Sequence, residues 1–274
     1  MELLEIIKVI IVGIIQSVTE WLPISSTGHM LLFDGLIPLQ MSKEFKEVFL
    51  VLIQLGSILA VVVLYFKRLN PLSKQHNSLK RKQILTIWLK VIIGSIPAGI
   101  IGVLFDDQID VLFYDSVLVI AIALIFYGLL FIIIENHNKT KQTKIKTIDD
   151  LSFLDAFKIG CFQVLALIPG TSRSGSTILG GMLSGVDRYV AAEFSFFLAV
   201  PAMAGASLIK MLKFGWEFTG TEIATLTLGM IVAFVGSILV IRMLLDYVKN
   251  HDFKIFGYYR IVLGLIVILW YFVL

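Results

Sequence analysis

The 274-residue sequence predicts an all-α polytopic membrane protein: six transmembrane helices plus two re-entrant helix–loop–helix hairpins, related as an inverted-topology repeat. Three observations predict it. First, the chain is 58% hydrophobic and only 16% charged, against roughly 25% charged residues in soluble domains. Its mean hydropathy is +0.92, and a soluble α/β protein with buried helices needs more charged surface than this. Second, several apolar runs reach the length of about 20 residues that spans a bilayer core. Third, two polar stretches, LPISSTGH (22–29) and PGTSRSGST (169–177), each interrupt apolar sequence and echo one another.

The segments follow in order. Residues 3–22 are apolar but carry Glu5, Lys8, Gln16, Thr19 and Glu20 before Pro23 stops them, which is awkward for a lipid-facing span. Residues 45–66 form a cleaner span, followed by the basic stretch KRLNPLSKQHNSLKRK (67–82). A span over 84–105 precedes an acidic turn, DDQIDVLFYD (106–115), and 117–134 is the next span. A lysine-rich linker (136–149) separates this half from the second. There, 153–167 is a short apolar segment ending at Pro169, and 178–186 follows the polar stretch. Spans over 191–211, 223–245 and 255–274 close the chain.

The basic loops set an orientation. With 67–82 in the cytoplasm, the acidic turn falls outside and the linker inside. Lys249 and Lys254 also fall inside, provided that 153–186 enters and leaves on one face. Both termini then come out external. No cleavable signal peptide is expected, because MELLEIIKV lacks a basic n-region. The net charge of +3 marks cytoplasmic loops and requires no nucleic acid. The single cysteine, Cys161, excludes an intrachain disulfide and is expected to pack in the interior.

GIIQSVTEWLPISST (13–27) resembles GCFQVLALIPGTSRS (160–174), with one gap. The orientation above makes residues 1–135 one repeat and 150–274 its inverted copy. Discontinuous helices of this kind occur in transporters. Broken backbone at membrane depth is tolerated only where protein or water satisfies it. Both polar stretches are therefore expected to face each other across a polar cavity.

Arg173 in hydrocarbon is costly unless it is paired, and its rigid donor fork suits phosphate or carboxylate. Thr171, Ser172, Ser174, Ser176 and Thr177 surround it, and Gly170 and Gly175 permit close backbone approach. A helix starting here has free N–H groups and positive potential, hence a phosphate cradle. The competing reading is an Arg–Glu pair that stabilises a bend. Gln16 and Glu20 share a helix face. Glu20 is a candidate base, proton relay, metal ligand or partner of Arg173. Ser26 and His29, three apart, share a face if a helix begins there, and a serine nucleophile needs such a base within reach. Ser25 and Thr27 flank them. Gln54 and Glu193, polar groups in or near spans, should face the interior; Glu193 is expected to orient Arg173 or a catalytic group, or to pair with Arg188. His76, His137 and His251 lie in polar loops. No metal-ligand cluster and no dinucleotide fingerprint stands out, so no organic cofactor is expected. A hard cation, Mg2+ or Ca2+, bridged between Glu20 and phosphate oxygens is the one cofactor the residues leave open. The small-residue faces GMLSG and GMIVAFVG suit either a homodimer or internal packing.

On two motifs the chain resembles the bacterial undecaprenyl-diphosphate phosphatase, or bacitracin-resistance protein, family. One is Gln16-Ser-Val-Thr-Glu20 followed by Pro23-Ile-Ser-Ser-Thr-Gly-His29; the other is PGTSRSGST. IQLGSILAVV (53–62) agrees further. The resemblance implies a multi-pass protein of the bacterial inner membrane, with its active site toward the outer face. It implies hydrolysis of undecaprenyl diphosphate to the monophosphate, which recycles the lipid carrier for peptidoglycan synthesis and confers bacitracin resistance. Glu20, His29 and Arg173 are then central, and Ser26 is a nucleophile or positions the substrate. Gln16 stands where the family often has Glu, which weakens any mechanism that needs two carboxylates there. Outside the resemblance, a lipid transporter or flippase remains the alternative that the repeat itself suggests.

Overall fold

The computed structural model describes residues 2–114, 116–139 and 143–273. The side chains of Asp106, Asp107, Asp110 and Tyr114, residues Met1, Asp115 and Leu274, and residues 140–142 of the linker lie outside what is described. The described residues are helical, without strands; a single isolated bridge joins Ile145 and Val186.

In chain order the helices are α1 (Leu3–Trp21), α2 (Ser26–Leu36), α3 (Lys43–Leu64), α4 (Phe66–Leu69), α5 (Ser78–Ile109) and α6 (Val117–Asn138). They continue with α7 (Phe153–Val164), α8 (Arg173–Leu183), α9 (Arg188–Phe214), α10 (Gly220–Val248) and α11 (Lys254–Val273). Six of them, α3, α5, α6, α9, α10 and α11, are long and apolar enough to cross a membrane.

α5 is kinked at Phe105 (φ −125°, ψ 16°), where the apolar span ends and the expected turn at 106–115 begins. Beyond the kink the backbone stays helical, to Ile109 and then through a π-helical segment, Asp110–Tyr114.

Helices approach closely where glycine permits. A Cβ on Gly160 of α7 would lie 2.3 Å from the Gly94 carbonyl of α5. The small-residue faces named above are used inside the fold: a Cβ at Gly229 would meet Ile53 and Phe49, and one at Gly181 would meet Ala191. Small residues let membrane helices pack where lipid supplies no hydrophobic drive. Cys161 is exposed on α7 rather than packed in the interior; its helix buries the opposite face, with Ala156, Ile159, Gly160 and Gln163.

Two end faces follow from the contacts. At one, Lys144 N–H donates to the Gly185 carbonyl (3.0 Å) and Asp187 N–H to that of Ile145 (2.9 Å). Phe253 N–H donates to Glu135 (2.9 Å), Arg188 pairs with Glu135, and Lys90 donates to the Ile148 carbonyl (2.9 Å). The basic loops therefore gather on this face. At the other, Lys8 donates to the Pro38 carbonyl (2.8 Å), Gln40 N–H to Glu5 (3.1 Å), and Lys46 to Asp34 (2.7 Å). The start of α1 thus lies beside the end of α2, and the start of α7 is joined to the end of α8.

Candidate active site

The two helical hairpins, α1–α2 and α7–α8, meet tip to tip. The same backbone device turns each one. Ser25 (φ 73°, ψ 104°) is the N-cap of α2, and Ser172 (φ 72°, ψ 121°) is the N-cap of α8; they are the described non-glycine residues with positive φ. Each hydroxyl accepts a hydrogen bond from the amide three residues on, Gly28 N–H at 3.4 Å and Gly175 N–H at 3.1 Å. A left-handed serine costs about 1–2 kcal/mol, and the cap offsets about 1 kcal/mol of it. The turn aims two helix N-termini, each with unpartnered first N–H groups and a partial positive charge, toward one place.

Side chains then lock the tips together. Ser174 Oγ lies 3.0 Å from the Glu20 carbonyl oxygen and 3.2 Å from that of Leu22. Arg173 Nε and Nη2 donate to Glu20 Oε1 at 3.3 and 3.2 Å, and Nη1 donates to the Ser195 carbonyl at 2.7 Å. Gln16 Nε2 donates to Glu20 Oε2 at 3.0 Å. The Arg173 guanidinium sits 5.8 Å from the Trp21 ring centroid. Glu20 and Gln16 are almost wholly buried, so this is an ion pair out of water, with every charged oxygen given a donor.

Beneath the tips lies Arg260 of α11, fully buried. It donates to the Pro23 carbonyl (3.1 Å) of one hairpin and the Gly170 carbonyl (2.8 Å) of the other. Longer bonds reach the Leu124 and Ala123 carbonyls, both 3.4 Å, and its guanidinium stacks 5.6 Å from the Tyr127 ring. Among the described residues no carboxylate bonds it. One cation thus ties both breaks to α6 and α11.

The expected residues divide into three groups. Gln16, Glu20, Arg173 and Ser174 form the joint. Ser25 and Ser172 are caps, and Ser176 and Thr177 lie near carbonyls of their own turn (3.0 Å and 2.9 Å, both to Arg173), with Thr177 also reaching Ser195 Oγ (2.7 Å). Thr171 and Gly170 are buried in the turn. Ser26, Thr27 and His29 are half-buried on α2. No hydrogen bond joins Ser26 to His29; His29 Nδ1 bonds the Ser25 carbonyl and Nε2 the Tyr259 hydroxyl, both at 2.7 Å. Gln54 is half-buried on α3 and bonds none of these groups. Glu193 neither orients Arg173 nor pairs with Arg188. It is paired with Arg68 at the basic face, because α9 turns residue 193 away from the tips while Glu135 takes Arg188.

Trp21, Ser195, Tyr259 and Arg260 escaped the sequence reading. Arg260 had a usable signal, an arginine inside the apolar run of α11, the same cost that singled out Arg173. Both Glu20 oxygens already accept, from Gln16 and Arg173, and no group of three potential metal ligands occurs among the described residues.

Fold and site define a polytopic membrane protein in which two capped helix N-termini meet beside a buried arginine–glutamate pair. The chain belongs to the bacitracin resistance protein BacA family, whose profile matches residues 9–266. It is 56% identical over 272 residues to "Undecaprenyl-diphosphatase 1" of Clostridioides difficile (strain 630), covering 99% of this chain and 98% of that one. It is 55% identical to "Undecaprenyl-diphosphatase" of Lachnoclostridium phytofermentans over 97% of each chain. A protein of that name from Enterococcus faecalis is 54% identical over 98% of each.

Proposed function

We propose that the chain is an undecaprenyl-diphosphatase of the bacterial plasma membrane, releasing inorganic phosphate and returning undecaprenyl phosphate to cell-wall synthesis. The observation that carries this reading is the meeting of two capped helix starts, one with Ser26 as its first residue and the other with Arg173. A diphosphate head seated there faces a guanidinium and two sets of free N–H groups. These stabilise charge spread over the outer oxygens of the transferring phosphoryl group. Ser26 Oγ attacks the terminal phosphorus, its proton passing to His29 Nε2 once that nitrogen parts from the Tyr259 hydroxyl, and the bond to the bridging oxygen breaks to release the lipid monophosphate. Water then cleaves the phosphoserine, releasing inorganic phosphate and restoring the Ser26 hydroxyl. No step is assigned to a metal ion.

The hairpins are read as re-entrant, and residues 1–135 and 150–274 as inverted repeats joined by the linker 136–149. The matched Ser25 and Ser172 turns support this, as do the contacts joining the start of each hairpin to its end. α2 and α8 have 11 residues each, or about 16 Å at 1.5 Å per residue, roughly half of a ~30 Å core. The site is read as open toward the outer face. α8 buries Ser174 through Met182, whereas α2 buries only Gly28 and runs toward the face without the basic loops. Both termini lie on that side: α1 starts there, and Trp270 of α11 packs on Gly35.

The test is phosphate release from undecaprenyl diphosphate by purified protein in detergent micelles, beside a folded Arg173→Ala variant. Release by the intact protein, cut about 10³-fold by the substitution, supports the reading. No release despite lipid binding contradicts it and favours a transporter.

A further inference from the structure

The charges around the tips do not cancel. Arg173 is paired with Glu20, so that pair carries no net charge. Arg260 is fully buried and always protonated. The groups that hold it are carbonyl oxygens, which solvate a cation without neutralising it. Counting arginines and carboxylates among the described residues, the joint of the two hairpins is one charge positive. Such a charge is costly at membrane depth, yet no second carboxylate offsets it. The cation also sits against the helix starts. Of its five N–H groups, Nε gives one to Leu124, Nη2 gives two to Ala123 and Gly170, and Nη1 gives one to Pro23. The fifth, on Nη1, has no acceptor among the described residues. Nη1 lies at the first turn of α8, where a Cβ on Gly175 would be 3.2 Å from it. The Arg260 charge also acts on the His29 ring, so its field reaches the half-open edge of α2.

We propose that Arg260 is a specificity-determining residue for the reaction: it supplies the net positive charge of the site, so that affinity rises with the negative charge of the lipid head group and favours the diphosphate substrate over the monophosphate product. This rests on the proposed phosphatase reading. Arg173 offers directed hydrogen bonds from a pair that is already neutral. Arg260 adds the charge from behind the two turns, acting through its field, and the bound head group is its counter-ion. Cleavage then lowers the charge of the lipid head, which weakens its hold and favours departure of the product.

Binding to the protein in uncharged detergent micelles tests this. The two probes are a polyprenyl monophosphate and the methylenediphosphonate analogue of the diphosphate, which is more negatively charged and resists cleavage at the bridge. Wild type should bind the diphosphonate roughly 10- to 20-fold tighter, the gain of one further unit charge about 10 Å from Arg260 at an effective dielectric constant of about 20. Arg260→Gln should lower that ratio by the same factor. Arg260→Lys keeps the charge and loses the fork, so it should retain the ratio even where both affinities fall. A merely structural role predicts equal losses for the two probes in both variants. An unchanged ratio in folded Arg260→Gln, or its loss in Arg260→Lys as well, overturns the proposal. Should neither variant fold, Glu20→Gln, which leaves Arg173 unpaired, is expected to raise the wild-type ratio. A wild-type ratio near one, or a ratio unmoved by Glu20→Gln, then overturns the charge assignment. Wild type that binds both probes and releases no phosphate from undecaprenyl diphosphate defeats the phosphatase reading instead, and the ratios alone decide the role of Arg260.

Discussion

At the tip of α1–α2, Ser25 caps a helix whose first residue is Ser26; at the tip of α7–α8, Ser172 caps a helix whose first residue is Arg173. The φ values differ by a degree, both hydroxyls accept from a glycine amide three residues on, and both helices have 11 residues. What differs is burial and the side chains mounted on the scaffold. α8 is packed from Ser174 to Met182 and its hydroxyls bond within the protein, while α2 leaves Ser26, Thr27 and His29 half-open. On the proposed reading, the packed turn is the wall that holds the diphosphate and the half-open turn is the reacting edge. The deeper halves diverge in the same sense. Gln16 faces Glu20, but the equivalent Gln163 has Leu167 where the carboxylate would be, and both its amide atoms are buried without a partner.

The largest effect expected from breaking this division of labour is on chemistry. Arg173→Ala and Ser26→Ala should each lower phosphate release, the former about 10³-fold. Only Arg173→Ala should also lower the melting temperature in detergent, because it strands the buried Glu20 carboxylate. Next comes the backbone. Gly170→Ala puts a Cβ 2.5 Å from the Ile120 carbonyl at φ 90° and should destabilise by about 3 kcal/mol. Gly28→Ala comes no nearer than 3.1 Å, to a Leu124 methyl, and should cost less than about 1 kcal/mol, which thermal unfolding of the two variants will compare. Smaller still is the glutamine pair. Gln16→Leu should destabilise by about 1–3 kcal/mol by taking a donor from Glu20, whereas Gln163→Leu should be neutral or stabilising, since it removes an unsatisfied buried amide. Equal losses at 16 and 163 would mean that the second copy keeps a polar partner, and the asymmetry would fail.

Much of this was legible in the sequence. Hydropathy located the six long helices, because lipid demands continuous apolar length, and Pro23 and Pro169 marked both breaks. Glu20 and Arg173 stood out because a charge in an apolar segment needs a reason, and the structure pairs them. The partner of Glu193 was not legible, since Arg68 lies 125 positions away in a basic loop that reads as solvated. Tyr259 was invisible for a different reason: a tyrosine in an apolar helix has no cost to signal, and its contact with His29 spans 230 positions. Arg260 had the cost and was passed over, because nothing in the sequence near it echoes the polar stretches.

The most direct test of the division between the hairpins is accessibility. In a Cys161→Ser background, Ser26→Cys and Ser176→Cys are challenged with a membrane-impermeant maleimide in sealed right-side-out and inverted vesicles. The proposed function predicts that Ser26→Cys reacts from the outer face and is protected by undecaprenyl diphosphate, while the buried Ser176→Cys reacts from neither. Labelling of Ser26→Cys only from the face that carries residues 67–82, or ready labelling of Ser176→Cys, would contradict it.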